Sequence, residues 1–175
     1  LSKAIELNPY FAMGYYNRAN LLRTLGHTDL AIRDYSKAIE IDTGYAHAIG
    51  NRAANYDRIG AYELAIQDWN RVIALEPKAA QYYSNRGLSY YKLGKYDVAL
   101  EDLNKAIEID SEYGAAYYSR ATLLTKMGRE DSALEDMKIV SQLSNHNIKS
   151  FANENNVWRS RHLQMETMME SEMQR

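Results

Sequence analysis

Residues 80–113, AQYYSNRGLSYYKLGKYDVALEDLNKAIEIDSEY, are one copy of a unit that recurs along the chain at a fixed interval. Three residue types mark the interval, a glycine, an alanine and an aspartate, and each returns every 34 residues. The marked positions are Gly26, Gly60, Gly94 and Gly128, then Ala31, Ala65, Ala99 and Ala133, and then Asp34, Asp68, Asp102 and Asp136. A period of this length indicates one supersecondary unit copied in tandem, in which each copy buries its apolar face against its neighbours.

The apolar positions of each copy predict two antiparallel helices joined at the glycine. In the copy 12–45, Tyr15, Ala19 and Leu22 share one stripe of a helix that ends before Gly26. After that glycine, the apolar residues at 31, 32, 35, 38 and 39 have the spacing of a second amphipathic helix. We expect the glycine to adopt the left-handed conformation that ends a helix, because this conformation costs other residues roughly 1–2 kcal/mol.

The composition limits the classes of function. A net charge of −2 over 175 residues argues against a nucleic-acid binder, which needs a strong basic excess to neutralise phosphates. The chain has no cysteine, which excludes disulfides and thiolate metal sites. No apolar run approaches the ~18 residues that a membrane helix needs, so we expect no membrane insertion and a cytoplasmic location. The first residue is Leu1 rather than methionine, which suggests a piece of a longer polypeptide.

The residues that carry chemistry give no sign of catalysis. The histidines show no metal-ligand spacing with one another or with acidic residues. Nor is there a nucleophile motif, a phosphate-binding glycine loop or a pair of carboxylates with catalytic spacing. We therefore expect no enzymatic activity, no metal and no cofactor.

The copies 12–45, 46–79, 80–113 and 114–147 resemble tetratricopeptide (TPR) repeats. With the first residue of each copy counted as position 1, the resemblance rests on an aromatic at position 4, small residues at 8 and 20, glycine at 15, an aromatic at 24 and proline at 32. The aromatic and proline matches are Tyr15, Tyr83, Tyr117, Tyr35, Trp69 and Pro77. Residues 1–11 resemble the second helix of a preceding repeat, and we expect residues 148–175 to form a C-terminal capping helix and tail.

The resemblance implies an all-α fold, a right-handed α-solenoid of tandem helix-turn-helix repeats, whose concave groove binds another protein or a peptide segment. Arginine at position 7 and aspartate at position 23 recur in every copy, for example as Arg86 and Asp102. We interpret them as a repeated ion pair that fixes the register of the two helices. The alternative is a row of arginines that binds a ligand.

Polar residues opposite the buried stripe of the first helices are the candidate partner contacts. Asn17, Asn51 and Asn85 share position 6, and such a ladder of amides can donate to and accept from the backbone of an extended peptide. The alternative is that these asparagines only cap the helices or are solvated at the surface. The remaining candidates on this face are Met13, Tyr16, Asn20, Tyr91, Lys92, Tyr118 and Lys126.

Two kinds of side chain stand out among these candidates. The tyrosines are rigid amphipathic anchors of the kind enriched in interfaces. Lys92 and Lys126 share position 13 with Arg58 and form a basic row suited to acidic groups on a partner. The alternative for this row is that the cations only complement the dipoles of their helices.

Some members of the resembled family are co-chaperones that grip the C-terminal carboxylate of a heat-shock protein with lysines, an arginine and asparagines. Here Asn20 and Asn51 match the asparagine places. Tyr16, Gln81 and Asn85 stand at the cationic places, so we do not expect a carboxylate clamp.

We therefore expect a non-catalytic protein-protein interaction scaffold that binds an extended peptide or a partner helix. Two alternatives stay open. One is a structural segment that forms homo-oligomers through its repeat ends or C-terminal tail, and the other is the docking arm of a larger enzyme.

Overall fold

The computed structural model describes the backbone of residue 8 and residues 10–154 and the side chains of residue 8 and residues 10–144. Residues 1–7 and 9 of the expected partial repeat at 1–11, and residues 155–175 of the expected tail, lie outside the described residues.

The described part of the chain is all-α, with eight helices. They are α1 (Ala12–Thr24), α2 (Thr28–Ile41), α3 (Ala46–Arg58), α4 (Tyr62–Leu75), α5 (Ala80–Lys92), α6 (Tyr96–Ile109), α7 (Gly114–Lys126) and α8 (Glu130–Glu154). Consecutive helices pack as the hairpins α1–α2, α3–α4, α5–α6 and α7–α8, and each hairpin packs on the next. The predicted α-solenoid is confirmed. None of the helices in the described part is both long and apolar enough to cross a membrane.

A left-handed glycine closes the turn of every hairpin, as the sequence predicts. Gly94 has φ +74°, its N–H donates to the carbonyl oxygen of Tyr91 at 3.0 Å, and the N–H of Lys95 donates to that of Tyr90 at 2.9 Å. These two bonds form a Schellman motif, which satisfies carbonyl groups that the end of a helix leaves open. Gly26, Gly60 and Gly128 have the same conformation.

The two helices of a hairpin meet over small side chains. Ala65 and Ala99 are fully buried at equivalent places in α4 and α6. Gly87 of α5 faces the second of these places, where an added Cβ would lie only 3.2 Å from the carbonyl oxygen of Ala99 and 3.1 Å from Cγ of Leu103. The close approach explains why position 8 holds alanine or glycine in every copy.

The predicted arginine–aspartate pair forms in every hairpin. In the third, Nε and Nη2 of Arg86 donate to the two carboxylate oxygens of Asp102 at 2.8 and 2.6 Å. The same two-bond contact joins Arg18 to Asp34, Arg52 to Asp68 and Arg120 to Asp136. The Asp102 side chain is 8% exposed, so the pair is held largely away from water.

The third nitrogen of the guanidinium reaches the preceding repeat, which the sequence analysis did not predict. Nη1 of Arg86 donates to Oδ1 of Asn70 at 2.6 Å, and Nη1 of Arg120 donates to Oδ1 of Asn104 at 2.7 Å. Arg52 makes the equivalent bond to Oγ of Ser36 at 2.9 Å. Each of these arginines therefore joins both helices of its own hairpin to the second helix of the hairpin before it.

The first helices of the repeats lie on the inner side of the solenoid. Neighbouring first helices are in contact, α3 with α5 and α5 with α7. Within the described residues, no two second helices approach one another to the same extent. We call the solvent-facing side of α1, α3, α5 and α7 the inner wall.

The last helix differs from the other second helices. It runs without a turn from Glu130 to Glu154, so residues 148–154 of the expected capping segment continue α8. Met137 of α8 is 41% exposed, whereas its equivalents Trp69 and Leu103 are 2% and 0% exposed beneath the following repeat.

Removing the Arg86 guanidinium should destabilise the fold by leaving a buried carboxylate unpaired. We expect Arg86→Ala to lower the free energy of unfolding by about 2–4 kcal/mol, measured by denaturant titration. The double variant with Asp102→Ala should lose less than the sum of the two single variants, whereas strict additivity would refute the pair. Lys105→Ala, which breaks an exposed pair with Glu108, is the control and should have a much smaller effect.

The left-handed turn predicts a difference between two glycines. Gly94→Ala should lower the free energy of unfolding by about 1 kcal/mol, because alanine is strained at this φ although nothing lies within 4 Å of the added Cβ. Gly44 lies in the turn between repeats without a positive φ, and Gly44→Ala should cost less. Equal losses in thermal unfolding would count against the turn as the cause.

Candidate partner-binding surface

The three asparagines at position 6 have different surroundings. Asn17 is exposed on α1, whereas Asn51 and Asn85 are half-buried on α3 and α5. The predicted ladder is therefore not a row of equivalent amides. The neighbours of each asparagine decide which of its hydrogen-bonding groups a partner could reach.

Asn51 belongs to a polar network between the first two repeats. Its Nδ2 donates to Oδ1 of Asn20 at 3.0 Å and to the hydroxyl oxygen of Tyr16 at 3.3 Å. The hydroxyl of Tyr35 also donates to Oδ1 of Asn20, at 2.6 Å. Both N–H groups of Asn51 are thus used inside the protein, and its Oδ1 is the group that it can offer to a partner.

The Tyr16 ring is packed rather than free. It lies 5.0 Å from the Tyr45 ring and 6.0 Å from the Tyr35 ring between centroids, and it borders the buried core of the first two repeats. Tyr16, Asn20 and Asn51, three of the predicted contacts, therefore form one rigid polar patch on the inner wall.

A pocket of about 370 Å³ opens on the inner wall between the second and third repeats. Two predicted contacts, Asn85 and Lys92, line it from α5. Arg58, from the last turn of α3, and the aromatic side chains Tyr62 and Trp69, from α4, complete most of its wall. The pocket combines two cations, an amide and aromatic surface in one cavity.

Asp57 also lines this pocket and is held on both carboxylate oxygens. Nε1 of Trp69 donates to Oδ2 at 2.9 Å, and Oγ of Ser89 donates to Oδ1 at 2.6 Å. Burial raises the pKa of the Asp57 carboxyl above its ordinary value, although the hydrogen bonds from Ser89 and Trp69 act in the opposite direction.

Tyr91 occupies an apolar part of the wall between the third and fourth repeats. Its ring lies 5.8 Å from that of Tyr96, beside the buried cluster of Ala99, Leu103 and Leu123. Nζ of Lys92 lies 5.9 Å from the centre of the Tyr91 ring, so the tyrosine supports the lysine at the edge of the pocket.

The remaining predicted contacts stand apart from these groups. Met13 is 52% exposed on α1, and Lys126 is exposed in the last turn of α7. Tyr118 is 57% exposed and lines a separate pocket of about 380 Å³ with Val140 and Leu143 of α8. The structure thus brings Asn85 and Lys92 together, and Tyr16 with Asn20 and Asn51, but not the whole predicted set.

The sequence analysis missed the group formed by Asp57, Trp69 and Ser89. The signal was a polar residue at position 10, where Ser89 and the buried Asn55 replace the leucines Leu21 and Leu123. Ser89 finds a partner in the preceding repeat, since its Oγ donates to Asp57, whereas Asn55 donates to the carbonyl oxygen of Asn51 in its own helix.

In the described part of the chain, no three acidic or histidine side chains are grouped so that they could hold a metal ion.

Comparison with known proteins agrees with this architecture. The tetratricopeptide repeat family model matches residues 12–45 and 80–113, and a second TPR repeat model matches residues 55–94. The chain belongs to the tetratricopeptide repeat family. A search of curated proteins found no match.

Solved structures with the TPR fold superpose on most of this TPR chain. MamA is 25% identical, with a TM-score of 0.78 over 85% of this chain and 86% of its own. YrrB, described as a TPR protein with an unusual peptide-binding site, is 25% identical, with a TM-score of 0.69 over 92% and 83%. The first TPR of Spaghetti (RPAP3), bound to the HSP90 peptide SRMEEVD, is 25% identical, with a TM-score of 0.64 over 67% and 93%.

The raised pKa of Asp57 predicts a pH-dependent difference between the wild type and Asp57→Asn. A carboxyl whose pKa is higher in the folded state contributes stability below its unfolded pKa and loses it as the pH rises through the folded pKa. Asparagine does not titrate, so the unfolding free energy of the variant should rise relative to wild type between about pH 3 and pH 7. Denaturant titrations at several pH values measure the unfolding free energy of the variant minus that of the wild type. If this difference stays constant or falls as the pH rises, burial does not penalise the charge of Asp57.

Proposed function

We propose that this TPR chain is a non-catalytic protein-interaction scaffold that holds an extended peptide or a partner helix along its inner wall. The observation that carries the proposal is the pocket between the second and third repeats, which sets hydrogen-bonding and cationic side chains beside aromatic surface. A wall of this composition suits a peptide, whose backbone needs hydrogen bonds and whose side chains need apolar or charged contacts.

The residues divide the work according to their surroundings. Asn17 and Asn85 offer amides to the partner backbone, and Asn51 offers its Oδ1 while its N–H groups hold Asn20 and Tyr16 in place. Met13 and Tyr118 supply exposed apolar contacts at the two ends of the wall, and Lys126 supplies a cation near the second end.

Similar proteins support this choice. RPAP3 is described with a bound peptide and YrrB with a peptide-binding site, and both superpose on most of this chain. A C-terminal carboxylate clamp is not part of the proposal, because Tyr16, Gln81 and Asn85 occupy its cationic places.

A second candidate is self-association through the C-terminal end of the solenoid. Met137 and Tyr118 are 41% and 57% exposed there, whereas Tyr35, Trp69 and Leu103, the equivalents of Met137 in the earlier repeats, are buried. Light scattering over a concentration range tests this candidate. Self-association requires the average molar mass to rise with protein concentration, and Met137→Glu should prevent that rise. A docking arm of a larger enzyme would use the same inner wall, with the catalytic part elsewhere in that enzyme.

Selection from a displayed random-peptide library tests the main proposal. Peptides that bind the wild type should lose about tenfold in affinity for the variant Asn17→Ala with Asn85→Ala, measured by fluorescence polarisation, because both amides contact the peptide backbone. The control replaces Gln67 and Gln142, exposed amides on the second helices α4 and α8, with alanine. The proposal is wrong if no peptide is selected, or if the two double variants bind equally well.

A further inference from the structure

We infer that the pocket between the second and third repeats is a subsite for an acidic side chain, glutamate or aspartate, of the bound peptide. This inference rests on the proposed function and names the residue class that one point of the inner wall selects. The argument depends on the charges that line the pocket, their existing partners and the surface around them.

Two cations that line the pocket are not held by acidic side chains in the described part of the chain. Arg58 and Lys92 line it from the last turns of α3 and α5. In the part of the chain with described side chains, neither forms an ion pair, whereas the arginines at position 7 are each bound to an aspartate. The charges of Arg58 and Lys92 are therefore available to an incoming carboxylate.

The one carboxylate in the pocket wall is already engaged. Asp57 accepts hydrogen bonds from Trp69 and Ser89, so each oxygen has a donor within the protein. With Arg58 and Lys92 the lining carries a net charge of +1, which favours an anion over a cation. Asp57 also limits the affinity, because its own charge repels the ligand carboxylate.

The rest of the lining suits a carboxylate on a short apolar stem. The Asn85 amide can donate a hydrogen bond to a carboxylate oxygen. Tyr62 and Leu88, which are partly exposed in the lining, provide apolar surface for the methylene groups of the ligand. Glutamate and aspartate both carry this combination of charge and stem.

The place is specific to one pair of repeats. At the equivalent interface of the third and fourth repeats, Tyr91, Leu103 and Leu123 replace Asp57, Trp69 and Ser89, and the wall is apolar. Lys126 has the same helical position as Lys92 but does not line the pocket. Lys138, an exposed cation on the second helix α8 that does not line the pocket, therefore serves as the control for the loss of one positive charge.

The test uses peptides selected from the same random-peptide library on the full chain. The selected sequences should share an acidic residue at one position, and replacing it with its amide should weaken binding to the wild type about tenfold. Arg58→Gln and Lys92→Gln should each weaken binding of the acidic peptide about fivefold, with a loss that shrinks at high salt, and Lys138→Gln should not. Asp57→Asn should bind the acidic peptide more tightly than the wild type, because it removes a negative charge from the pocket. A loss of packing would weaken binding instead.

A Trp158→Phe background leaves Trp69 as the single tryptophan, whose fluorescence should change when the acidic peptide binds. The subsite would be wrong if the selected peptides shared no acidic residue, or if the Arg58 and Lys92 variants bound the acidic peptide as tightly as the wild type. Neither result would contradict the proposed scaffold. A library that yields no binder would overturn both. Unchanged thermal midpoints of the three glutamine variants ensure that folding is not the cause.

Discussion

The guanidinium of the arginine at position 7 is the constraint on which the stacked repeats depend. In the third hairpin it ties α5 to α6 through Asp102 and reaches back to Asn70 on α4, so one side chain fixes the relation of three helices. A buried carboxylate tolerates only a partner that satisfies it, and the planar fork of arginine satisfies both oxygens in one geometry. The arginine–aspartate contact recurs in every hairpin, and from the second hairpin onward the arginine also bonds to the hairpin before it. The helices, which meet over alanine and glycine, therefore stack in one register.

That fixed register lets the inner wall vary without changing the fold. Three positions at each interface between repeats show this variation, namely positions 12 and 24 of one repeat and position 10 of the next. They hold Arg23, Tyr35 and Asn55 between the first two repeats, and Asp57, Trp69 and Ser89 between the next two. Between the third and fourth repeats they are apolar. The inner wall therefore changes along its length, from a network of amides and hydroxyls to a pocket with a net positive lining and then to an apolar surface.

Much of the fold follows from the sequence because its causes are local or repeat at a fixed interval. The glycine turns depend on a backbone conformation that Gly94 and its equivalents adopt at little cost, and the helices depend on apolar spacing within each copy. The pairing of Arg86 with Asp102 was also predictable, since both residues recur at one spacing in every copy. The bond from Arg86 to Asn70 was not, because position 25 holds serine in one copy and asparagine in the next two, which gives no constant pattern.

The sequence by itself determined the number of helices in each repeat, their turns and the ion pair, and it singled out the polar face of the first helices that we propose for a partner. Only the tertiary structure decided which groups on that face are free. Asn17, Asn51 and Asn85 share one position in the repeat. The N–H groups of Asn51 donate to Asn20 and Tyr16 of the neighbouring repeat, whereas Asn85 lines the pocket. The reason is physical: a hydrogen bond depends on the atoms that an adjacent repeat brings within about 3 Å, and these atoms differ from one interface to the next.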